Sequence, residues 1–420
     1  MANPLRSYLE SLLPEALRHL ESMVRVNSWT LNKAGVDQVG DITARLFAPL
    51  GFAAERVPSA NPAYGDHLVL TRRGRSDAAL IMVSHLDTVF SPEEESRNRF
   101  HWLPEGDRIY GPGTHDIKGG TMLLWMTLMG LARHAPDTFD AVTWRLCFNS
   151  SEEVLSADFG DVVRSRAGTS PLAVLVFEAE GRAGETRRMV VARKGRGTWR
   201  LTVRGRGAHA GVAPGRGANA IAQLAITLQR VHALADPSRD LSVNIGFVRG
   251  GSGLNRVPEV AVAEGEFRAF SPEVWSDALD RLAALAGPGE VRSTSDGFAT
   301  SVEFELMARS DPWPRNAGSD ALMEAWKDAG AKAGMVLEPE ARGGVSDGNL
   351  LWNLCPTLDG LGPSGDNDHC SERSADGSKL PEYVSASSFV PKAELNVAAI
   401  RSWIDQAGPT GKSPWNSKGS

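Results

Sequence analysis

Ala79-Leu80-Ile81-Met82-Val83 is an unbroken apolar run that leads directly into Ser84-His85-Leu86-Asp87. A strand without polar alternation is typical of a sheet that is buried on both faces. Helical segments separate such strands, so the pattern predicts an α/β fold with a mostly parallel sheet and helices on both faces. Ligand sites of open α/β sheets lie at the carboxyl ends of the strands. His85 and Asp87 therefore stand where chemistry is expected, although this segment alone equally fits a strand-end histidine with a local carboxylate partner.

Two further predicted strands also end in acidic residues. The segment 142–148 precedes Glu152 and Glu153, and the segment 172–177 precedes Glu178. Adjacent carboxylates raise each other's pKa unless a positive group such as a metal ion lies between them. Solvated surface charge explains any one of these acids, but it poorly explains a set at the same end of successive strands. Carboxylates with imidazole suit zinc, and manganese or cobalt are close alternatives.

A glycine-rich loop, Gly111-Pro112-Gly113-Thr114-His115-Asp116, precedes an apolar helix predicted from Thr121. Its glycines allow close backbone approach, and Asp116 has two oxygens that could bridge two metals. Such loops also bind phosphate, which is the alternative interpretation. However, this loop has neither the Walker spacing nor the G-x-G-x-x-G form.

Length and composition limit the possible classes of protein. A chain of 420 residues suits two domains, or one domain interrupted by another. The net charge of -6 and the lack of a long basic run argue against nucleic-acid binding. Three cysteines do not form a disulfide framework, no signal peptide is evident, and the most apolar helix is too short to span a bilayer. We therefore expect a cytoplasmic protein without a membrane segment.

The hydrophobic pattern changes after residue 190. Strands with alternating apolar and polar residues and two helical segments follow, in the order β-α-β-β-α. We predict a catalytic domain over 1–190 and 307–407, interrupted by a smaller α+β sandwich over 191–306. The polar tail 408–420 is predicted to be disordered. Near the start, the helical pattern of residues 4–26 contains Pro14, which we expect to begin a second helix.

Three features of the later sequence are noted, and on the residues alone the first two have a structural interpretation rather than a functional one. A glycine-flanked His209 is usually structural, and Arg268 fits a solvated strand position. The turn 343–348 is rich in glycine, and its backbone donors could receive a substrate carboxylate.

Taken together, these segments resemble the dinuclear zinc hydrolases that include glutamate carboxypeptidase, acetylornithine deacetylase, succinyl-diaminopimelate desuccinylase and the aminoacylases. The similarity is greatest to the glutamate carboxypeptidase branch. The matching elements are Ser84-His85-Leu86-Asp87-Thr88-Val89, Gly111 to Gly120, Glu152-Glu153, Glu178, Gly207-Ala208-His209-Ala210-Gly211 and His369. They occur in the family's order and span nearly the whole chain, which makes the set specific.

The resemblance implies a role for each residue of a site with two zinc ions per subunit, where cobalt or manganese could substitute. The implied ligands are His85 and Glu178 for one ion, Glu153 and His369 for the other, and Asp116 as the bridge. Asp87 would orient His85, and Glu152 would be the general base acting on a metal-bound water. A cis peptide at Asp116–Ile117 is also implied.

The resemblance also changes the interpretation of the inserted domain, which would act as a lid and form a homodimer. His209 would reach the partner subunit's site and stabilise the oxyanion. The implied substrate-binding residues are Asn255, Arg268, Gly344 and Ser346, with Asp347 in the same matching loop. Two departures from the family pattern are Val154-Leu155 after the acidic pair and His115 before the bridging aspartate, for which we expect an outer-shell or surface role.

The implied activity is hydrolysis of an amide bond next to a free amino-acid carboxylate, in small peptides or N-acyl amino acids. An acetylornithine-type deacylase has the same metal site and is the main alternative. An aminopeptidase would have to bind a free amine, which Arg268 disfavours. A binding protein with a decayed metal site is the alternative from a different class, and the intact Glu152 argues against it.

Overall fold

A computed structural model describes residues 3–154, 156 and 158–407 of the chain. The tail 408–420 and Leu155 lie outside the described residues. The contacts divide the chain into two units. The first runs through Ala192 and resumes over Arg315–Ala341 and from Ser346 onward, and the second comprises Arg193–Pro314 and Arg342–Val345.

The elements before the second unit are α1 (Pro4–Val24), α2 (Lys33–Phe47), β1 (Ala53–Val57), β2 (His67–Arg72), β3 (Ala78–His85), α3 (Pro92–Asn98), β4 (Leu103–Glu105), β5 (Arg108–Tyr110), α4 (Lys118–His134), α5 (Pro136–Ala141), β6 (Thr143–Asn149), α6 (Asp158–Arg164), β7 (Ser170–Val176), β8 (Gly181–Ala183) and β9 (Thr186–Arg193). The second unit contains β10 (Gly195–Arg204), α7 (Ala220–His232), β11 (Ser242–Gly250), β12 (Val260–Ala269), α8 (Pro272–Ala283), β13 (Gly287–Arg292) and β14 (Ala299–Ser310). The chain ends with α9 (Ala317–Lys332), β15 (Leu337–Arg342), α10 (Gly348–Leu351), β16 (Thr357–Leu358), β17 (Gly365–Asp366), β18 (Tyr383–Ser385) and α11 (Phe389–Ala407).

The first unit is built on a sheet with the strand order β1-β2-β6-β3-β7-β16. The strands β6, β3, β7 and β16 are parallel, whereas β2 and β1 are antiparallel additions at one edge. Every residue of β3 is buried, as its unbroken apolar run predicts. The last residue of β3, His85, is in register with Asn149, the last residue of β6. The two strands therefore end at the same edge of the sheet.

Both faces of this sheet are covered by helices, which confirms the predicted α/β architecture. Leu80 and Met82 belong to an apolar cluster that includes residues of α1, α2, α4, α9 and α11. The alternate residues Ile81 and Val83 belong to a second cluster, with Phe159 of α6 and Leu351 of α10. The side chains of β3 thus alternate between two separate cores, as a fully buried strand requires.

The helix α1 is continuous, so the prediction that a second helix begins at Pro14 is wrong. A proline cannot donate a hydrogen bond to the carbonyl group four residues earlier, here that of Glu10. Both residues lie on the exposed side of α1, where water can satisfy that carbonyl group, while Leu9, Leu12 and Ala16 are buried on the other side. Tertiary packing of this apolar face outweighs the local penalty.

The second unit is an antiparallel sheet with the order β11-β12-β10-β14-β13. Trp199, Leu201 and Val203 of β10 point to one face, where they pack with residues of α7 and α8. The opposite face carries cross-strand ion pairs such as Arg200 with Glu264 at 2.9 Å. The strands β13 and β14 also belong to this sheet, although the sequence pattern predicts only the strands that correspond to β10, β11 and β12. The residues at the predicted start of the inserted domain, 191–193, are instead the end of β9, which lies in a sheet with β8 and β15.

In the described part of the chain, no helix combines the length and the apolar character needed to cross a membrane.

Candidate metal centre and active site

The carboxyl edge of the parallel strands carries the residues predicted for the site. His85 is the last residue of β3, the 3₁₀ turn Glu152–Val154 follows the end of β6, and Glu178 lies two residues beyond β7. Because β3, β6 and β7 are parallel, these three segments meet at one edge of the sheet.

Asp116 lies between two imidazole rings and turns one carboxylate oxygen to each. Its Oδ1 is 3.0 Å from His85 Nε2, and its Oδ2 is 3.3 Å from His369 Nε2. The same His369 Nε2 is 3.3 Å from Glu153 Oε2, and His85 Nε2 is 3.9 Å from Glu178 Oε1. The structure thus brings all five predicted ligands together, and ligand atoms of His85, Asp116 and Glu153 lie within 4.8 Å of one another.

The charges of this cluster favour positively charged occupants. Burial raises the pKa of Glu153 to about 7, and the nearby charge of Asp116 adds to this. Burial also opposes ionisation of Asp116, but its hydrogen bonds with His369 and His85 outweigh burial and lower its pKa well below the usual range. Hydrogen bonds to Asp116 and Glu153 raise the pKa of His369 to about 11.

These buried carboxylates can remain ionised together only where cations balance them. Nitrogen and oxygen donors in this set fit zinc, cobalt or manganese. The chain therefore has a candidate metal site.

Asp87 anchors the turn that carries the two adjacent glutamates. Its Oδ1 accepts a hydrogen bond from the Glu152 backbone N–H at 3.1 Å, and its Oδ2 accepts one from Glu153 N–H at 3.3 Å. The hydroxyl of Thr30 donates to the same Oδ2 at 2.7 Å. His85 Nδ1 lies 3.0 Å from the Asp87 carbonyl oxygen and 3.4 Å from its Oδ1. The carboxylate of Asp87 is therefore bonded to the Glu152–Glu153 turn more closely than to the imidazole it is predicted to orient.

Glu152 lies against the cluster without being part of its closest contacts. Burial raises its pKa well above the usual range, partly offset by His85 and reinforced by Glu178 and Asp347. Asp347 is itself buried, which raises its pKa to about 7, and its Oδ1 accepts a hydrogen bond from Asn149 Nδ2 at 2.7 Å. A buried carboxylate of this kind holds a proton more readily than an exposed one, which suits a group that must accept and release one.

His209 is exposed in the second unit, and its hydrogen bonds define its tautomer. Its Nδ1 accepts hydrogen bonds from the backbone N–H groups of Gly211 at 3.2 Å and Val212 at 3.1 Å. The neutral ring therefore carries its proton on Nε2, which is left as a donor. The adjacent segment is held alongside, because Ala210 N–H donates to the carbonyl oxygen of Asn255 at 2.9 Å.

The side chain of Arg268 already has partners within the second unit. Its Nε donates to Glu266 Oε1 and one terminal nitrogen to Oε2, at 2.8 and 3.2 Å, and its other terminal nitrogen donates to the Gly343 carbonyl oxygen at 2.8 Å. Likewise, Arg193 donates to the carbonyl oxygen of Gly344 at 3.1 Å. The glycine-rich segment thus directs carbonyl oxygens, not N–H groups, toward these two arginines.

Ser346 belongs to the first unit and is only 5% exposed. Its hydroxyl donates to Asp359 at 2.9 Å, and its N–H donates to Asn349 at 3.0 Å. These bonds engage Ser346 within the fold. Substrate-binding roles for Ser346 and Gly344 stay predictions that this geometry does not strengthen.

Comparison with known proteins identifies the second unit first. Residues 191–292 match the model of the peptidase dimerisation domain of the M20 type. The chain is 26% identical over 362 residues to carboxypeptidase G2 of Pseudomonas sp. strain RS-16, covering 85% of this chain and 83% of that protein. It is also 26% identical over 352 residues to succinyl-diaminopimelate desuccinylase of Acidovorax ebreus, covering 78% and 86%.

The fold extends the similarity to the whole chain. An M20 family metallo-carboxypeptidase from Sulfolobus solfataricus superposes with a TM-score of 0.68 at 14% identity, covering 93% of this chain and 99% of that one. The second unit therefore matches the dimerisation domain of the M20 peptidases, and the chain is similar to such enzymes over most of its length. It is accordingly a hydrolase that acts on carbon–nitrogen bonds.

Three residues that position the predicted site residues have no signal in the sequence pattern. Thr30 holds Asp87, as described above. Asn149 Oδ1 accepts a hydrogen bond from Ser151 N–H at 3.0 Å and so shapes the start of the acidic turn. Glu382 is fully buried, and its Oε1 accepts the N–H groups of His115 at 2.8 Å and Asp116 at 3.1 Å.

Glu382 follows no apolar strand, and only the folded chain brings it to Asp116. The peptide bond that follows, Asp116–Ile117, is cis, as the family resemblance implies.

Proposed function

We propose that this protein is a dinuclear metal-dependent hydrolase that cleaves an amide bond next to a free amino-acid carboxylate. Small peptides and N-acyl amino acids are the substrates that this chemistry would take. The observation that carries the proposal is the two-sided contact of Asp116, with His85 at 3.0 Å on one oxygen and His369 at 3.3 Å on the other.

Two zinc ions, or cobalt or manganese in their place, would be held by the proposed ligands His85, Asp116, Glu153, Glu178 and His369. The chemistry that such ions supply when bound is activation of water and polarisation of the substrate carbonyl group. The remaining steps belong to side chains of this protein.

Glu152 is the proposed proton carrier. Its carboxylate accepts a proton from the attacking water and then delivers it to the leaving amide nitrogen, so that no free amide anion is expelled. The hydrogen bond from its backbone N–H to Asp87 fixes the turn from which this side chain projects. Asp87 also keeps the ring of His85 oriented, through its carbonyl oxygen and its carboxylate.

His209 is the proposed oxyanion donor, supplied by the partner subunit of a homodimer. The proton on Nε2 is the one that such a role requires, because two backbone N–H groups already occupy Nδ1. The edge strand β11 supports the dimer, since Phe247 and Val248 are about half exposed there, at 49% and 54%. Unpaired strand edges with apolar side chains favour association with another chain. We assign residues 191–306 to this lid and dimerisation role, and residues 1–190 and 307–407 to catalysis.

Arg268 is the proposed group for the substrate carboxylate, with Asn255 near the scissile carbonyl group. The guanidinium has five N–H donors in a planar fork, and a carboxylate is its natural bidentate partner. The guanidinium of Arg268 already donates to both oxygens of Glu266, so a substrate carboxylate would have to share its N–H groups with that residue. The preference for a free carboxylate distinguishes this proposal from an aminopeptidase, which would select a free amine.

A substrate panel tests the proposal. The wild-type protein, loaded with zinc, cobalt or manganese, is given dipeptides and N-acyl amino acids, each paired with its C-terminal amide. We expect release of the C-terminal amino acid from the free acids and at least tenfold slower cleavage of the amides. Cleavage confined to N-acetyl amino acids would favour the acetylornithine-type deacylase instead.

Glu152→Gln protein, purified and loaded in the same way, is the control for contaminating hydrolases. If fully metallated wild-type protein cleaves no member of the panel, the proposed activity is wrong. A metal-dependent binding protein would then be the better description.

A further inference from the structure

The loop that carries His369 depends on neighbours to hold its shape. It follows the two-residue strand β17, and both Asn367 and His369 have positive φ angles, of 66° and 62°. Residues other than glycine rarely adopt this region unless the surrounding structure enforces it. The side chain of His369 is also 56% exposed, so packing does little to fix the ring.

A second contact joins this loop to the segment that carries Asp116. The His115 ring is buried, with 5% of its side chain exposed, and its Nδ1 donates a short hydrogen bond to Asp368 Oδ1. His115 directly precedes Asp116 and Asp368 directly precedes His369. The two segments are therefore linked twice in parallel, once through the predicted ligands and once through the residues just before them.

His115 is itself held firmly enough to serve as an anchor. Its backbone N–H donates to the buried Glu382 at 2.8 Å. Its ring lies directly against Gly365, where an added Cβ would come within 2.6 Å of the His115 Cδ2 atom. Glycine at this position makes room for the ring beneath the His369 loop.

We propose that His115 and Asp368 are a positioning pair that preorganises His369 to hold the metal ion that it would share with Glu153. The inference rests on the dinuclear site of the proposed function, but it concerns metal retention and not the identity of the substrate. The link between His115 and Asp368 involves no metal ligand, so it can hold the loop before an ion arrives. Residues that orient metal ligands typically change metal affinity by about 10-fold to 100-fold when they are removed.

Metal retention is the direct measurement. Zinc-loaded protein is mixed with a chromophoric chelator, and the release of each of two equivalents is followed with time. We expect His115→Ala to lose one equivalent about 10-fold to 100-fold faster than wild type, with the other equivalent unchanged. His115→Asn should restore most of the retention, because its amide N–H group can replace Nδ1 as a donor. A purely structural role for the ring would not produce selective loss of one ion with rescue by asparagine.

Asp368 gives an independent route that does not disturb the core, since 43% of its side chain is exposed. Asp368→Ala should reproduce the effect of His115→Ala, and the double variant should be no worse than either single variant. Glu372→Ala is the matched control, because this exposed acid pairs with Lys379 a few residues beyond His369. It should retain both ions as wild type does.

The outcomes separate this inference from the proposed function. If wild-type protein binds fewer than two zinc ions, the dinuclear site itself is wrong. If wild type binds two ions and Asp368→Ala releases both at wild-type rates, the positioning role is wrong while the dinuclear site stands. Circular dichroism of each metal-free variant checks that the fold is retained.

Discussion

Replacing Asp87 by asparagine tests how Glu152, the proposed general base, is held in place. The carboxylate of Asp87 accepts three hydrogen bonds, from Thr30 at 2.7 Å, Glu152 N–H at 3.1 Å and Glu153 N–H at 3.3 Å. An asparagine has only one acceptor oxygen. Placed at the Oδ2 position, that oxygen keeps the bonds to Thr30 and Glu153, but the amide NH₂ group then faces the N–H of Glu152. The backbone of Glu152, the proposed proton carrier, thus loses its hydrogen bond to residue 87.

The size of the effect follows from this single lost bond. Hydrogen bonds to charged groups are worth about 1.5–3 kcal/mol, and Asp87 is buried, so water cannot replace the partner. We expect the free energy of unfolding of the metal-free protein to fall by about that amount. If misplacement of Glu152 raises the activation free energy by the same amount, kcat falls by about 10-fold to 150-fold, because each 1.36 kcal/mol corresponds to a factor of ten.

Thermal melting of the metal-free protein and kcat of the metal-loaded protein are the two measurements. Asp405→Asn is the matched control, because this aspartate lies 3.6 Å from Arg401 in an exposed ion pair. Such pairs contribute about 0–1 kcal/mol. The reasoning is refuted if Asp87→Asn matches the control variant in both melting temperature and kcat.

Three further predictions concern other parts of the molecule. Glu152→Gln should keep wild-type metal content while kcat falls about 10²-fold to 10⁴-fold, and retained turnover would contradict its role as the base. His209→Ala should lower kcat about 10²-fold to 10³-fold at unchanged metal content, and mixed dimers with Glu152→Gln should regain part of the activity where subunits exchange. A fully metallated His209→Ala protein with near-normal kcat would exclude the oxyanion role. Burial opposes ionisation of Glu180, but Lys392 at 2.9 Å and Arg187 at 2.7 Å outweigh it and lower its pKa from 4.5 to about 2. Because the folded-state pKa is depressed, this stabilisation is complete above pH about 4.5 and is lost as the pH falls toward about 2. The melting temperatures of wild type and Glu180→Gln should therefore converge over that range, and parallel curves would contradict the assignment.

The parallel sheet and the cluster at its edge were predictable because their signals are local. An unbroken apolar strand followed by a polar ligand, as at His85, is visible in a short window of sequence. The strand β14 also carries a local signal, the alternation of Val302, Phe304 and Leu306 with glutamates, although the predicted strand order stops before it. At Pro14 a local signal was misleading. A proline on the exposed side of a well-packed helix is tolerated, so the helix does not break there.

The residues that hold the site were not predictable, because their roles depend on partners far away in sequence. Glu382 becomes a backbone anchor only when it meets the His115 segment. The carboxylate of Asp347 is buried beside Asn149, whereas its glycine-rich sequence context indicates a substrate loop. Which acids are buried is decided by tertiary packing, and no periodic pattern encodes it.

The wide spacing of the metal-site residues along the chain has a consequence for biosynthesis. His85 and the Glu152–Glu153 turn leave the ribosome early, but Asp116 lacks its partner His369 and its backbone anchor Glu382 until almost the entire catalytic domain has been translated. A nascent chain that stops before this point carries an acidic half-site with only one of its two imidazoles. We therefore expect hydrolytic activity to require translation past Glu382, and chains that terminate earlier to be inactive as peptidases.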